Sequence, residues 1–534
     1  MTIQLYDTTL RDGAQGEGVS FSDTSKVRLA KALDDFGVDI IEGGFAGSNP
    51  RDQKFFELIK REPLHHARVA AFGSTRRVDT DVAKDPQIAG LLSAETSICT
   101  IYGKTWVLHV GEVLRTTREH NLQMISDTVG HLRAKGREVI YDAEHFFDGY
   151  KHDAAYALAT LESALREGAC SLALCDTNGG CLPHEIFDIV RAVAQKFPSV
   201  AIGIHCHNDA GLAVANSLEA VRAGACSVQG TINGLGERAG NADLTAVIPA
   251  LSLKMGLTLA GVKDLAKLRG VSRQIDDFAN RRSLPQQPYV GRNAFTHKAG
   301  AHADGVRKNP LTFEHIVPGA VGNERRVVVS ELSGGANIGA KARELGMPGV
   351  AESREHTRGA LDLLKRMEKQ GYSYESADGS FKILLRKVLE QHKPFFELEG
   401  FRVIVEKWSR DEPCLSEATV KVRVNGEAEL TAGEGSGPVD ALNRALRKAL
   451  RRFYPNIDDV TLTDYRVRIL DPREATAAVT RVLIESTDNR RFWGTVGVSE
   501  NIIEASWQAL VDSIEFKLHE DADERETPRA CPGL

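Results

Sequence analysis

Two histidines stand two positions apart, His205 and His207, in the segment IHCHNDAGLA at residues 204–213. The apolar residues leading into them predict a strand. Side chains alternate on a strand, so both imidazoles leave from one face and Cys206 from the other. Two converging imidazoles make half of a metal site, although a pair of buried structural histidines would look the same in isolation. Oxygen donors occur at comparable places elsewhere. TTLRDGAQ carries Asp12 with Arg11 beside it, and GLGERAGNADL carries Glu237, Arg238 and Asn241. Taken singly these have plainer uses, Asp12 in a turn and Asn241 as the cap of a helix starting at ADL. Together with the histidines, Asp12 and Asn241 make a set of two nitrogens and two oxygens, which suits Mg²⁺, Mn²⁺ or Zn²⁺. Such a shell leaves room for the carbonyl and carboxylate oxygens of a 2-oxo acid, with the ion acting as a Lewis acid on the ketone.

Other segments offer further groups. YDAEHFFDGY contributes Glu144 as an acid/base or orienting carboxylate. LCDTNGG contributes Asp176, Thr177 and Asn178, of which Thr177 is suited to hydrogen-bonding a substrate carboxylate; the same five residues DTNGG also read as an ordinary turn. FTHKAGAHADGVRK carries His297 and His302, for which a surface loop is the plainer reading. Cys175 and Cys181 flank a glycine turn, but the eight cysteines lack metal-finger spacing and read mostly as buried thiols of a reducing compartment.

These groups need a scaffold that gathers distant segments. Residues 1–260 repeat one rhythm: a short β-branched run, a turn rich in Gly, Asp or Asn, then an amphipathic helix. The runs fall at 3–7, 38–44, 67–73, 96–103, 138–144, 170–176, 200–207 and 226–232. Eight such units with near-continuous apolar strands predict a closed (β/α)₈ TIM barrel; an open doubly wound sheet is less consistent, because no GxGxxG follows the first strand. Strands one, seven and eight are contiguous in a closed barrel, and active sites form at the strands' C-terminal ends. Asp12, His205, His207 and Asn241 are thereby expected around one ion. Residues 261–394 read as helical linker regions with Pro/Gly loops such as SLPQQPYVGRN and SELSGGANIGAK. Residues 395–520 read as an α+β domain built from two β-rich units that each end in a helix, an internal repeat. The polar, Pro-containing stretch 521–534 reads as a disordered tail.

Composition sets limits. With 42% hydrophobic and 26% charged residues the balance is that of a soluble globular chain, and 534 residues require more than one domain. A net charge of −6 gives no reason to expect nucleic acid or an anionic membrane as partner. There is no apolar run of membrane-spanning length, and the chain opens directly into a strand, so a cytoplasmic location is expected.

LYDTTLRDGAQ, IHCHNDAGLA, GLGERAGNADL and HKAGAHADGV resemble the signatures of the DRE-TIM metallolyases. The resemblance is to the Claisen-condensing branch that contains the 2-isopropylmalate, homocitrate and citramalate synthases. GEGSGPVDALNRALRKAL resembles the regulatory domain of the isopropylmalate and citramalate enzymes; EGGFAGSNPRD, YDAEHFFDGYK and LCDTNGG look most like the long citramalate-forming group. The resemblance implies a divalent metal surrounded by Asp12, His205, His207 and Asn241, with Arg11 stabilising an enolate oxygen. Glu144 and Thr177 match active-site positions. His302 matches an acid/base histidine that, in family dimers, serves the partner's site. The implied reaction joins acetyl-CoA to pyruvate, with 2-oxoisovalerate as the alternative acceptor and a lyase or aldolase as a more distant reading. A homodimer inhibited by isoleucine, alternatively leucine, is implied as well. Phe72 and Tyr102 are candidates for setting acceptor size. Phe313 occupies a position where the family often has tyrosine, so no hydroxyl role is carried over.

Overall fold

Eight parallel strands close on themselves in the first part of the chain: β1 (Thr2–Asp7), β2 (Ile40–Phe45), β3 (Arg68–Ser74), β4 (Ile98–Lys104), β5 (Glu138–Glu144), β6 (Ser171–Asp176), β7 (Ala201–Cys206) and β8 (Ser227–Gly230). Each pairs with the next, and β1 pairs with both β8 and β2, which closes the barrel. The computed structural model describes residues 1–47, 49–298, 300–328, 335–470, 478–488 and 490–526. Alternate strand residues serve two cores. Leu5, Ile41, Ala71, Cys99, Val139 and their equivalents pack against the surrounding helices, while Tyr6, Ile40, Ala70, Ile98 and Ile140 form a separate cluster that fills the barrel. Both faces are buried, which is why the strands read as continuous apolar runs.

All eight expected strands form, with ends displaced by no more than two residues. β7 stops at Cys206, so His207 lies one residue beyond it, in a single bridge with Asn241. Across the closure, His205 stands opposite Gln229, and Gln229 opposite Tyr6. The first compact unit comprises Met1–Phe295 and Ile316–Arg325 and so runs past residue 260. The reason is the helix Leu268–Phe278, whose Leu268, Val271 and Ile275 are buried in the barrel's outer core.

The second unit comprises Thr296–His315 and Arg326–Leu534. Its first part is helical, with helices Gly300–Lys308, Gly335–Glu344, Pro348–Glu352, Arg354–Lys369 and Asp378–Val388. The end of SELSGGANIGAK, expected as loop, is therefore helix from Gly335; residues 330–334 lie outside the described residues. Then the pattern β-β-β-α occurs twice. Strands Glu397–Glu406, Leu415–Val424 and Glu427–Gly435 precede helix Pro438–Leu450, and strands Thr461–Ile469, Thr480–Thr487 and Phe492–Ser499 precede helix Ile502–Glu526. In the first repeat Ala418, Val420, Val422 and Val424 alternate inward against Ala441, Leu442, Ala445 and Leu446.

One expectation is corrected here. Residues 521–526, read as the start of a disordered tail, are the last turns of the final helix. Basic groups from other elements pair with the acidic run that begins at Glu520: Lys382 with Glu520, Arg386 with Asp523, and Arg491 with Glu520 and Glu524. Residues 527–534 lie outside the described residues. Cysteines 99, 175, 181 and 206 are buried free thiols, whereas Cys170 and Cys414 are exposed. Among the described residues no helix is long and apolar enough to cross a membrane.

Candidate functional site

The turn after β1 wraps around one carbonyl. Thr8 O accepts the N–H groups of Arg11, Asp12 and Gly13 at 3.1, 2.8 and 3.1 Å, and the Asp7 carboxylate accepts Thr9 N–H at 2.9 Å and its hydroxyl at 2.8 Å. This holds the Arg11 and Asp12 side chains at the mouth of the barrel. There Asp12 Oδ2 lies 3.4 Å from His205 Nε2 and 3.9 Å from His207 Nε2, and the two Nε2 atoms are 3.3 Å apart. All three side chains are buried, and their donor atoms fall within 4.8 Å of one another.

Asn241 lies beside His207 through a backbone bridge. Its Nδ2 donates to Leu235 O at 3.0 Å, and its Oδ1 is buried with no hydrogen-bond partner. Glycines make this approach possible. Gly240 has φ +87°, and a Cβ there would stand 1.9 Å from Gly234 O. The capping role belongs instead to Asp243, which accepts Thr245 N–H at 2.9 Å at the start of helix Leu244–Pro249. Two imidazole nitrogens and one carboxylate oxygen fit a divalent cation, and the orphaned amide oxygen of the residue bridged to His207 is a donor of the same kind.

Charge is arranged to match. Burial pushes the Asp12 carboxyl up, but the Arg11 guanidinium 3.2 Å away and the bond with His205 outweigh it, holding Asp12 well below the usual carboxylate range. His205 is raised despite its burial, because Asp12 faces it. His207 is lowered to about 3 by burial and by the neighbouring His205. Arg11 is fixed three ways: Nη1 on Asp12, Nε donating to Glu42, and its guanidinium carbon 3.8 Å from the Phe72 ring centroid. Phe72 stacks on Tyr102 at 5.3 Å and meets Phe45 edge-on at 5.1 Å.

Arg11, Asp12, the two histidines and the rings of Phe45, Phe72 and Tyr102 line one cavity of about 240 Å³, which also receives Glu144 and Thr177. Glu144 Oε2 lies 2.5 Å from Lys104 Nζ. Thr177 Oγ1 accepts His145 N–H at 2.8 Å, so its own hydroxyl proton is left to donate; its carbonyl accepts from Arg238 at 2.7 Å. Asp176 closes the DTNGG turn by accepting Cys181 N–H at 3.2 Å, and Asn178 donates to Asp148 at 3.0 Å, which ties the turn to the helix Phe146–His152. Among the described residues the one grouping of three His, Cys, Asp or Glu donors is Asp12, His205 and His207, and neither Cys175 nor Cys181 belongs to it.

His302 belongs to the second unit. It sits exposed on helix Gly300–Lys308, stacked on Phe313 with centroids 4.1 Å apart. His297, read as a loop histidine, is buried against Glu314 at 3.2 Å. Sequence reasoning missed Glu42, Phe45, Lys104, Asp142 and Gln229. The available signal was a polar residue inside an otherwise apolar strand, as in IIEGG, VIYDAE and SVQG.

Three family descriptions match the chain: HMGL-like over residues 2–275, homocitrate synthase post-HMGL domain-like over 289–371, and LeuA allosteric (dimerisation) domain over 375–518. The chain is 50% identical over 522 residues to a protein named (R)-citramalate synthase from Aquifex aeolicus, covering 98% of this chain and 99% of that one. It is 51% identical over 522 residues to the protein of the same name from Geobacter sulfurreducens, covering 98% of each. A Methanocaldococcus jannaschii protein named 2-isopropylmalate synthase is 31% identical over 520 residues, 96% of this chain and 94% of that one.

Proposed function

The chain belongs to the HMGL-like family and, within it, to the (R)-citramalate synthases, and from that premise we propose that it condenses acetyl-CoA with pyruvate and hydrolyses the thioester. The products are (R)-citramalate and CoA, an acyl transfer that leads toward isoleucine through 2-oxobutanoate. The observation that carries this reading is the convergence of three buried donor atoms at the barrel mouth beside a guanidinium locked in place. Asp12, His205, His207 and Asn241 would hold the ion (Mg²⁺, Mn²⁺ or Zn²⁺), which when bound supplies Lewis acidity to the ketone of the 2-oxo acid. The Thr177 hydroxyl orients the acceptor's carboxylate. Removing a proton from the acetyl methyl group builds negative charge on the thioester oxygen, and Arg11 presents preorganised positive charge to it. Glu144 at the mouth and His302, on the strength of HKAGAHADGV, are the groups that take and return protons.

Phe45, Phe72 and Tyr102 form the wall against the acceptor's side chain. Each methylene is worth about 10–200-fold in discrimination, so pyruvate is expected to outpace 2-oxoisovalerate by at least that margin. A thiol-release assay with acetyl-CoA and a panel of 2-oxo acids tests both points. Pyruvate should be preferred and chelator should stop the release. Preference for 2-oxoisovalerate would make the chain a 2-isopropylmalate synthase, and chelator-resistant turnover would remove the site.

The match to the LeuA allosteric (dimerisation) domain supports a homodimer with an amino-acid effector, which we take to be isoleucine, with leucine as alternative. The full chain is the form to test. Helix Asp378–Val388 packs against strand Phe492–Ser499 and the final helix, so a cut near residue 395 would strip a buried face. Isoleucine is expected to lower turnover at fixed pyruvate more than leucine does. A rate unchanged by saturating isoleucine and leucine alike would assign the domain to dimerisation alone.

A further inference from the structure

The two imidazoles of the site are supported differently. His207 Nδ1 is buried with no hydrogen-bond partner, whereas His205 Nδ1 lies 2.9 Å from Gln229 Oε1 on the neighbouring strand. Gln229 is itself oriented, because its Nε2 donates to Asp142 Oδ1 at 3.0 Å. Asp142 belongs to β5 and Gln229 to β8, three strands away in the sheet, so this bond crosses the inside of the barrel. Both side chains are buried, at 3% and 2% exposure.

An amide offers donors at one end and an acceptor at the other. With Nε2 committed to Asp142, the end facing His205 can only accept, so Nδ1 must carry a proton. The ring is thereby turned with Nε2 toward Asp12, 3.4 Å away. We infer that Gln229 and Asp142 are positioning residues, a relay across the barrel that fixes the tautomer and rotation of His205 and so sets the affinity of the Asp12–His205–His207 site for a divalent cation. The inference rests on the reading of that site as a cation site. Outer partners of this kind fix ligand orientation and raise ligand basicity in metal proteins.

The alternative is a purely structural crossbar that satisfies polar groups inside the barrel. Mn²⁺ titrations of the full-length protein, followed by the electron paramagnetic resonance of the free ion, separate the two. Wild type is expected to bind one ion per chain. Gln229→Met, which keeps the bulk but accepts nothing useful, is expected to weaken binding by about 10–100-fold while the circular dichroism spectrum stays unchanged. The double variant Gln229→Glu/Asp142→Asn keeps the shape and every pairing. Its carboxylate accepts from both the introduced amide and His205 Nδ1–H, so affinity should return close to wild type. This second variant remains informative if Gln229→Met does not fold. Wild-type affinity in Gln229→Met, or a double variant that binds no better than it, overturns the relay. Absence of Mn²⁺ binding in the wild type overturns the cation site itself, a distinguishable failure.

Discussion

Asp12→Ala is expected to lower turnover by more than the roughly 100-fold that marks the upper end for loss of an outer metal partner, with the fold retained. Asp12 supplies the one carboxylate among the three converging donors, and its Oδ2 faces both imidazoles. Without it the cluster presents neutral nitrogens and an amide oxygen to a cation that prefers charged oxygen. The structural cost is contained. Removing one partner of a buried ion pair ordinarily costs about 3–5 kcal/mol, because the other charge is left uncompensated. Arg11, however, keeps Glu42, and the turn is built from backbone N–H groups on Thr8 O that the substitution leaves in place. Equilibrium dialysis with Mn²⁺, CoA release and a thermal melt on the same preparation test the point. A melt close to wild type with lost binding and turnover is the expected result. A variant that still binds the ion and turns over normally would show that the convergence of these atoms has no chemical role.

The barrel was legible because its physics is local and repeated. A strand buried on both faces needs an unbroken apolar run, and eight such runs separated by amphipathic helices admit few other arrangements. His205 and His207 were legible for a related reason: alternation on a strand fixes which side chains share a face, whatever the rest of the chain does. Asn241 needed the glycines around it, and those are visible as letters. What stayed hidden was pairing across the barrel. Nothing local in VIYDAE says that Asp142 meets Gln229 from a strand three places away, or that Glu42 takes the Nε of Arg11. Such contacts depend on closure, which sequence pattern implies only in outline. The end of the final helix shows the same limit from the opposite side. HEDADERE reads as a solvated acidic run until Lys382, Arg386 and Arg491 are brought against it by the fold.

Arg11→Lys is expected to lower kcat by about 10²–10³-fold, the loss that follows removal of one preorganised donor to a developing oxyanion. The substitution keeps the charge, so the effect isolates geometry. In the native protein Nε is occupied by Glu42 and Nη1 faces Asp12 at 3.2 Å, which leaves the remaining edge of a rigid planar fork directed by two anchors and by the Phe72 ring beneath it. An ammonium is a compact point charge on a flexible stem and cannot hold Glu42, compensate Asp12 and meet a third oxygen at once. It will settle between the two carboxylates, where the fixed negative charge is greatest, and leave the enolate oxygen to solvent. Because no donor atom of the Asp12–His205–His207 cluster is removed, Mn²⁺ affinity should change far less than turnover. KM for pyruvate should change less than kcat as well, since the missing interaction forms only as charge develops on the acetyl group. Steady-state kinetics with pyruvate and acetyl-CoA, set beside an Mn²⁺ titration, separate these quantities. A kcat near wild type would assign the Arg11 guanidinium to holding Asp12 in place and would leave stabilisation of the enolate to another group at the mouth.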